Sequence, residues 1–344
     1  MMLERLARLN FLRLVLSPLV LGGSAFGAST LDIHFVDVEG GQATLIVTPR
    51  GESLLIDAGW PGFDGRDADR IIAAAKKAGL TRIDYLMITH YHRDHAGGVE
   101  QLAAKFPVGT FVDHGPNTET GGAADGLAAS YGRAVAKGKH LILKPGDRIP
   151  LKEVDVRAVT ARGELIAKPL KGAGQQNPLC PAATRKDVDP TENARSLGIV
   201  VQFGKFRFAD LGDLTWNKEL DLVCPTNRLG KIDVYLTTHH GMDMSGPAQI
   251  VHAMAPRVAI MNNGAKKGGA PVAWQVVKQS PGLEDLWQVH FALAGGKENN
   301  VGEEMIANVD EKCQGFGLSV SAQSNGAFSV TNQRNGKTKS YAAK

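Results

Sequence analysis

The sequence predicts an α+β fold in which two sheets are covered by helices, and three observations lead to this prediction. First, residues 31–59 read as three successive strands separated by glycine turns. Second, apolar residues at helical spacing, with acidic residues in the first turn, predict a helix over residues 67–80. Third, strand-like runs return after residue 140 without strict alternation of strand and helix. Such an order favours two sheets with helices packed on them.

The other elements follow from the same patterns. The nearly continuous apolar run at residues 83–89 is typical of a buried strand. Helices are predicted at residues 98–106 and 124–138. Strands are further predicted at residues 109–115, 147–151, 154–160, 197–203, 205–212, 233–241 and 257–264.

Glycine and proline mark the connections. Residues 164–192, rich in glycine, proline, lysine and aspartate, predict a long surface insertion. Asn-Gly pairs at residues 325–326 and 335–336 suit hairpin turns. No repeat of fixed period and no convincing linker divides the chain.

The first 28 residues differ in composition from the rest of the chain. Three arginines accompany an apolar run over residues 11–21, and Ala25 and Gly27 stand where small residues precede a cleavage site. This layout is typical of a secretory signal peptide, whereas the uncharged run is short for the alternative, a membrane anchor. We therefore expect residues 1–28 to be a signal peptide. Residues 29–344 should then form one domain, secreted or periplasmic, with no stable membrane anchor after cleavage.

Charge and cysteine content narrow the class of protein. The net charge of the 344 residues is +4, and loss of the signal peptide, with three arginines and one glutamate, would lower it by two. A charge this small offers little long-range attraction for a polyanion such as duplex DNA. The three cysteines, Cys180, Cys224 and Cys313, allow one disulfide with one thiol left over, or three buried thiols. The sequence does not indicate which pair would form.

The stretch from residue 88 to residue 98 carries the strongest chemical signal. His90, His92, Asp94 and His95 fall within six positions, directly after the predicted strand at residues 83–89. Imidazole nitrogens and carboxylates are the ligands that zinc and related metals prefer. Because His90 and His92 alternate, a tight turn can direct both at one ion, while Asp94 and His95 can hold a second ion nearby. Four such residues at a strand end predict a metal site rather than core packing.

The rest of the ligand set is expected at other strand ends. Asp210 and Asp213 follow one apolar strand, and His239 and His240 follow another. Asp57 ends the third strand of the chain. It reads either as a turn residue or as a carboxylate that orients metal-bound histidines.

Together these motifs resemble the metallo-β-lactamase fold superfamily, and the similarity extends over residues 30–344. The resemblance implies a four-layer αββα sandwich with a two-metal cleft at one edge of its sheets. Within the superfamily, residues 31–46, 193–213 and 238–241 most resemble the ComEC-like branch. That branch includes the hydrolase domain of competence DNA-uptake proteins and some secreted phosphodiesterases. The motifs that carry the resemblance are Asp57, His90-x-His92-x-Asp94-His95, Asp213 and His240.

The resemblance also implies a role for each residue. His90 and His92 would hold the first metal, Asp94 and His95 the second, with Asp213 bridging the two and His240 completing the second site. His240 is preferred to His239 because it directly precedes Gly241. Asp210 is the lesser candidate for the bridge. The ions are expected to be two divalent metals, zinc first and manganese as the alternative.

One position departs from the family pattern. Many members place a third histidine for the first metal before the strand that here covers residues 197–203, where this chain has Asn193. Asn193 would be a weak oxygen ligand or leave a looser site, and Glu192 is a carboxylate alternative. His114, at another strand end, is either a substrate contact or part of a surface loop.

The expected function is hydrolysis by a hydroxide that the two ions share, with Asp94 and Asp57 assisting. A bridging aspartate favours a phosphodiesterase acting on a small phosphodiester or a short nucleic acid. The alternatives are a β-lactamase, a lactone or thioester hydrolase, and a non-enzymatic module with a decayed site. The oligomeric state is not predicted.

Overall fold

The computed structural model describes residues 30–344, so the predicted signal peptide lies outside the described residues. The strands are β1 Leu31–Phe35, β2 Thr44–Val47, β3 Ser53–Ile56, β4 Ile83–Met87, β5 Val108–Asp113, β6 Lys139–Ile142, β7 Arg148–Ile149, β8 Asp155–Ala161, β9 Glu164–Leu165, β10 Gly198–Phe203, β11 Phe206–Asp210, β12 Val234–Leu236, β13 Val258–Met261, β14 Asp285–His290, β15 Ile306–Asn308, β16 Leu318–Ala322, β17 Phe328–Asn332 and β18 Thr338–Tyr341. The helices are α1 Arg66–Lys77, α2 Arg93–Ala96, α3 Val99–Lys105, α4 Gly122–Val135, α5 Trp216–Val223, α6 Ala248–Met254 and α7 Pro271–Lys278.

The strands form two sheets. The first sheet has the strand order β18-β17-β16-β1-β2-β3-β4-β5-β6. The second has the order β15-β14-β13-β12-β11-β10-β8-β7, with β9 paired to β8. In both sheets the central strands are buried on both faces, so they read as continuous apolar runs rather than as alternating ones.

Alternate side chains of each strand enter different layers of the core. In β3, Leu54 and Ile56 join the cluster between the two sheets, whereas Leu55 joins the cluster beneath the first set of helices. In β13, Ile260 faces the other sheet and Ala259 faces the second set of helices. Helices therefore cover the outer face of each sheet, and the layers follow the predicted order of helix, sheet, sheet and helix.

The C-terminal strands complete the first sheet. The Asn-Gly pairs at residues 325–326 and 335–336 lie in the turns between β16, β17 and β18, which pair antiparallel as predicted. β16 then pairs antiparallel with β1, so the end of the chain returns to its beginning.

The predicted surface insertion at residues 164–192 contains β9 and one short 3-10 turn, and most of its side chains are exposed. A disulfide between Cys180 and Cys224 ties it to the end of α5. Cys313 is a free, half-buried thiol. Within residues 30–344, no helix has the length and apolar character needed to cross a membrane.

Candidate metal centre

The candidate metal centre lies where parallel strands of the two sheets end. In the first sheet, β3 leads into Asp57 and the parallel strand β4 leads towards His90 and His92. In the second sheet, the parallel strands β11 and β12 lead into Asp213 and into the turn that holds His240. The carboxyl ends of these strands meet at one edge of the sandwich, which brings together residues that are far apart in sequence.

Four buried side chains, Asp94, His95, Asp213 and His240, form a compact group that we call the second half-site. One ligand atom from each lies within 4.8 Å of the others. Asp213 has one carboxylate oxygen 3.2 Å from His95 Nε2 and the other 3.4 Å from His240 Nε2. Asp94 Oδ2 lies 3.2 Å and 3.3 Å from the same two nitrogens. Two carboxylates and two imidazoles thus converge on one point.

The charges within the second half-site favour a bound cation. Burial opposes ionisation of Asp213, but His95 and His240 hold the pKa of that carboxyl well below its usual range. The pKa of Asp94 is also well below its usual range, because His95 and His240 outweigh the effect of burial. Without metal the positive partner of these carboxylates is His95, whose pKa they raise well above its usual range despite its burial; a divalent ion would replace that charge and release the proton.

Asp57 lies behind the second half-site rather than within it. Its Oδ2 is 2.7 Å from His95 Nδ1 and accepts a hydrogen bond from the Thr89 hydroxyl at 2.8 Å. Its Oδ1 accepts the Thr89 N–H at 2.7 Å. A proton on Nδ1 of His95 completes this arrangement and leaves Nε2 facing Asp94 and Asp213, which is how a carboxylate orients a ligand histidine.

The backbone is unusual at three residues of the centre. Asp57, His239 and His240 have φ values of 61°, 55° and 55°. Non-glycine residues occupy this left-handed region at an energetic cost, and such residues cluster at functional sites. The histidine turn is held from below, because the Thr238 N–H donates to the Tyr235 hydroxyl at 2.9 Å.

By the first half-site we mean His90 and His92 together with Asn193, the residue that the sequence predicts as its third ligand. The rings of His90 and His92 lie 4.6 Å apart between centroids, edge to face. His90 Nε2 and Asn193 Oδ1 are buried and have no hydrogen-bond partner among the described residues. Burial lowers the pKa of His90 well below its usual range, so the imidazole is neutral and its lone pair is available. Asn193 lies in a short 3-10 turn, Glu192–Arg195.

Several residues surround the first half-site, and one of them, Glu119, was not singled out by the sequence. Glu119 Oε1 lies 3.1 Å from His92 Nε2 and accepts the Glu192 N–H at 2.9 Å. The Glu192 carboxylate accepts hydrogen bonds from the Thr118 N–H and hydroxyl at 2.8 Å and 2.6 Å, and lies 3.0 Å from His114 Nε2. Glu119 belongs to a loop with no strand-end signal, so nothing in the sequence pointed to it.

The structure corrects one alternative for His114. This side chain is 1% exposed and is paired with Glu192, so it is not part of a surface loop. Glu192 was considered as a carboxylate that could replace Asn193 as a ligand. Its oxygens contact His114 and Thr118 instead.

Two further candidates lie beside the second half-site. His239 Nε2 is 3.3 Å from Asp213 Oδ2, but its Nδ1 lies 3.3 Å from the Ser245 hydroxyl, and it is not one of the four converging groups. Asp210 accepts hydrogen bonds from the Gln42 amide at 2.8 Å and from the Gly212 N–H at 3.0 Å. Burial raises the pKa of Asp210 to about 6.

The donors present fit divalent metal ions. The second half-site offers two imidazole nitrogens and two carboxylates, a ligand set suited to zinc, manganese or iron. The first half-site offers two imidazoles and the carbonyl oxygen of Asn193. Unpartnered buried polar atoms are rare in folded proteins, and bound metal ions would supply partners for those at this centre, which include His90 Nε2, Asn193 Oδ1 and Asp213 Oδ1.

Comparison with known proteins agrees with this architecture. Residues 36–172 match the profile of the family described as the metallo-beta-lactamase superfamily. The matched segment contains His90, His92, Asp94 and His95 together with strands β2 to β9. The chain has the metallo-β-lactamase fold. The predicted four-layer sandwich is thereby confirmed, while Asp213 and His240 lie beyond the matched segment.

Individual relatives are more distant. A hydroxyacylglutathione hydrolase of Alkalilimnicola ehrlichii (strain ATCC BAA-1101 / DSM 17681 / MLHE-1) is 44% identical over 57 residues, which are 17% of this chain and 21% of that protein. The match thus spans about one fifth of that curated relative. The metallo-beta-lactamase fold protein YhfI from Bacillus subtilis has a TM-score of 0.48 at 10% identity, covering 76% of this chain and 96% of that one. Tm1679, a metal-dependent hydrolase of the beta-lactamase superfamily, has a TM-score of 0.43 at 15% identity, covering 75% and 95%.

Proposed function

We propose that this protein is a two-metal hydrolase of the metallo-β-lactamase fold and that it cleaves phosphodiesters. The observation that carries the proposal is the position of Asp213. One of its oxygens faces His95 and the other faces His240, and its charge also acts on His90 of the first half-site. We infer from this that Asp213 is shared between the two half-sites, and a shared carboxylate can hold two ions close together. That spacing suits the attacking and leaving oxygens of a phosphoryl transfer.

Each residue of the centre would have a distinct role in holding the two ions or in assisting the attacking water. His90, His92 and Asn193 would hold one ion, and Asp94, His95 and His240 the other, with Asp213 shared between them. When bound, such ions activate water at neutral pH and stabilise negative charge on the substrate. Asp94 is 7% exposed and is placed to accept a proton from an attacking water as well as to bind metal. Asp57 would act through His95, by fixing the ring and its tautomer.

A direct comparison of substrates tests the reaction. The protein, reconstituted separately with zinc and with manganese, would be given bis(p-nitrophenyl) phosphate and a chromogenic cephalosporin, with EDTA-treated protein as the blank. We expect faster turnover of the phosphodiester with at least one metal. Faster cephalosporin turnover with both metals would overturn the proposal in favour of a β-lactamase.

One specific observation favours a second candidate, which is thioester hydrolysis. The curated relative with 44% identity over 57 residues is a hydroxyacylglutathione hydrolase. Adding S-lactoylglutathione to the comparison decides between the two. Turnover of this thioester well above that of the phosphodiester would select the second candidate.

We further propose that the protein is secreted or periplasmic and acts on a small phosphodiester or a short nucleic acid. The disulfide between Cys180 and Cys224 supports an oxidising compartment, because such bonds seldom persist in the cytosol. The ComEC-like features of the sequence support the phosphodiester substrate. Cell fractionation with a C-terminal tag would test the location.

A further inference from the structure

Lys267 reaches into the centre from outside the ligand set. It lies six residues after the end of β13, and its ammonium group is in direct contact with Asp94 Oδ2. Among the ion pairs of residues 30–344, it is the one lysine or arginine that pairs with Asp94 or Asp213. Its side chain is 29% exposed, so it bridges the buried ligands and the solvent.

The turn that carries Lys267 is fixed in place. The Gly264 N–H donates to the Lys267 carbonyl at 2.8 Å, and the Gly269 N–H donates to the His240 carbonyl at 2.9 Å. A Cβ on Gly268, where φ is 78°, would lie 2.2 Å from that same carbonyl oxygen. Because the turn packs directly against the ligand His240, the base of Lys267 cannot move away from the centre.

Lys266, its neighbour in sequence, has a different environment. Its side chain is 76% exposed and lies 3.1 Å from Glu311, away from the ligand carboxylates. Two adjacent lysines on one turn thus point to different places, and this provides a matched control.

The Lys267 ammonium group can leave Asp94 and pair with a different anionic group. A divalent ion on Asp94 competes with the ammonium group for the same oxygen, and the flexible stem of a lysine lets its head move by several ångströms. The ring of Trp60, whose centroid is 5.0 Å from Lys267 Nζ, borders the space into which the ammonium would move. A cation held at the rim of a metal centre is placed to bind an anionic oxygen of a molecule on the metals.

We propose that Lys267 is a substrate-binding residue that holds an anionic group, a phosphate or a carboxylate, beside the metal pair. The proposal rests on the two-metal hydrolase proposed above, and it deepens that proposal by requiring a negatively charged substrate. It also implies that the ammonium group opposes metal binding at Asp94, since both are cations on one carboxylate.

The test compares Lys267→Met and Lys267→Arg with the control Lys266→Met, each reconstituted with zinc. The first measurement is binding of inorganic phosphate by calorimetry, and the second is metal content after dialysis against a chelator. For Lys267→Met we expect phosphate affinity to fall about ten-fold or more, as for loss of a hydrogen bond to a charged group, with metal retained as well as in the wild type or better. Lys267→Arg should recover part of the affinity, and Lys266→Met should match the wild type.

Kinetics supply an independent measurement. With bis(p-nitrophenyl) phosphate, Lys267→Met should raise KM more than it lowers kcat, whereas turnover of the neutral p-nitrophenyl acetate should change little. Unchanged phosphate affinity in Lys267→Met, or an equal loss in Lys266→Met, would overturn the proposal. Loss of metal in Lys267→Met would also overturn it, because the lysine would then support the ligands. If the wild type binds phosphate through Lys267 but hydrolyses no phosphodiester, the phosphodiesterase proposal fails and the anion site stands.

Discussion

The two half-sites differ in how closely their ligand side chains contact one another, although the second half-site also holds two buried atoms, Asp213 Oδ1 and His240 Nδ1, that have no hydrogen-bond partner among the described residues. In the second half-site, Asp94, His95, Asp213 and His240 contact one another, and the Asp57 carboxylate orients the His95 ring. In the first half-site, His90 Nε2 and Asn193 Oδ1 are buried without a hydrogen-bond partner among the described residues. His92 is partly exposed, and its Nε2 lies 3.1 Å from the Glu119 carboxylate.

This difference between the half-sites should give them different affinities for metal. The second half-site brings two ionised carboxylates and an oriented imidazole to one point, so an ion finds both charge and preorganised geometry. The first half-site offers two imidazoles and an amide oxygen, and it has no carboxylate of its own among its predicted ligands. We therefore expect the second half-site to fill first and to lose its metal last.

Two buried glutamates, one beside each half-site, have pKa values shifted in opposite directions. Glu192, next to the first half-site, has a pKa lowered to about 2, because hydrogen bonds from His114 and Thr118 outweigh its burial. Glu219, beneath the histidine turn of the second half-site, has a pKa raised to about 8 by burial. Its Oε2 accepts the Gly246 N–H at 2.6 Å, whereas its Oε1 has no partner among the described residues.

The largest effects are expected when one ligand of either half-site is removed. Asp213→Ala removes the carboxylate that we propose is shared by the two ions, so we expect both ions to bind poorly and activity to fall by about 10³-fold or more, in the range for loss of a group that stabilises the transition state. In His92→Ala we expect loss of one ion and a comparable loss of activity. Metal content per chain and circular dichroism would be measured together. Retained activity in either variant after its metal is lost would contradict the catalytic assignment.

The substitution Asn193→His should strengthen metal binding at the first half-site and so reduce the difference in metal affinity between the two half-sites. An imidazole in place of the amide would give the first half-site a third nitrogen ligand and remove its main weakness. We expect metal loss from this half-site during EDTA titration to slow by about ten-fold or more, in line with the effect of ligand-sphere changes on affinity. Metal loss from the second half-site should be unchanged and serves as the internal control. Unaltered release from both would mean that Asn193 does not face the first ion.

Much of this centre follows from strand ends, which sequence patterns predict well. The apolar runs before Asp57, His90 and Asp213 predicted strands, and the sheets do bring these residues to one edge. Glu119 and Lys267 were missed because they lie in loops, whose path depends on tertiary packing rather than on local pattern.

The second half of the fold was predicted less completely. Helices α5, α6 and α7 have seven or eight residues each, too short for an apolar period to stand out. The predicted strand at residues 147–151 is reduced to Arg148–Ile149, since Pro150 cannot donate to a sheet. The pairing of β16 with β1 left no local signal, because it joins segments almost 300 residues apart.

The smallest expected effect concerns Glu219 and the stability of the fold. A carboxyl whose pKa rises from an ordinary 4.5 to about 8 on folding binds a proton more tightly in the folded chain. The folded state is then most favoured below pH 4.5, and this contribution is lost as the pH rises from 4.5 towards 8. Glu219→Gln keeps the acceptor for the Gly246 N–H and removes the titration.

We therefore expect Glu219→Gln to be more stable than the wild type at pH 8, by a few kcal/mol at most for a shift of this size, with little difference near pH 4.5. Melting temperatures of metal-free protein from pH 5 to pH 9 would show a flatter profile for the variant. Glu192→Gln is the opposite control, because a pKa lowered to about 2 stabilises the fold above pH 4.5 and this contribution is lost as the pH falls towards 2. That variant should be less stable than the wild type at neutral pH. Parallel profiles for Glu219→Gln and the wild type would mean that Glu219 is solvated in solution, and the contrast between the two glutamates would disappear.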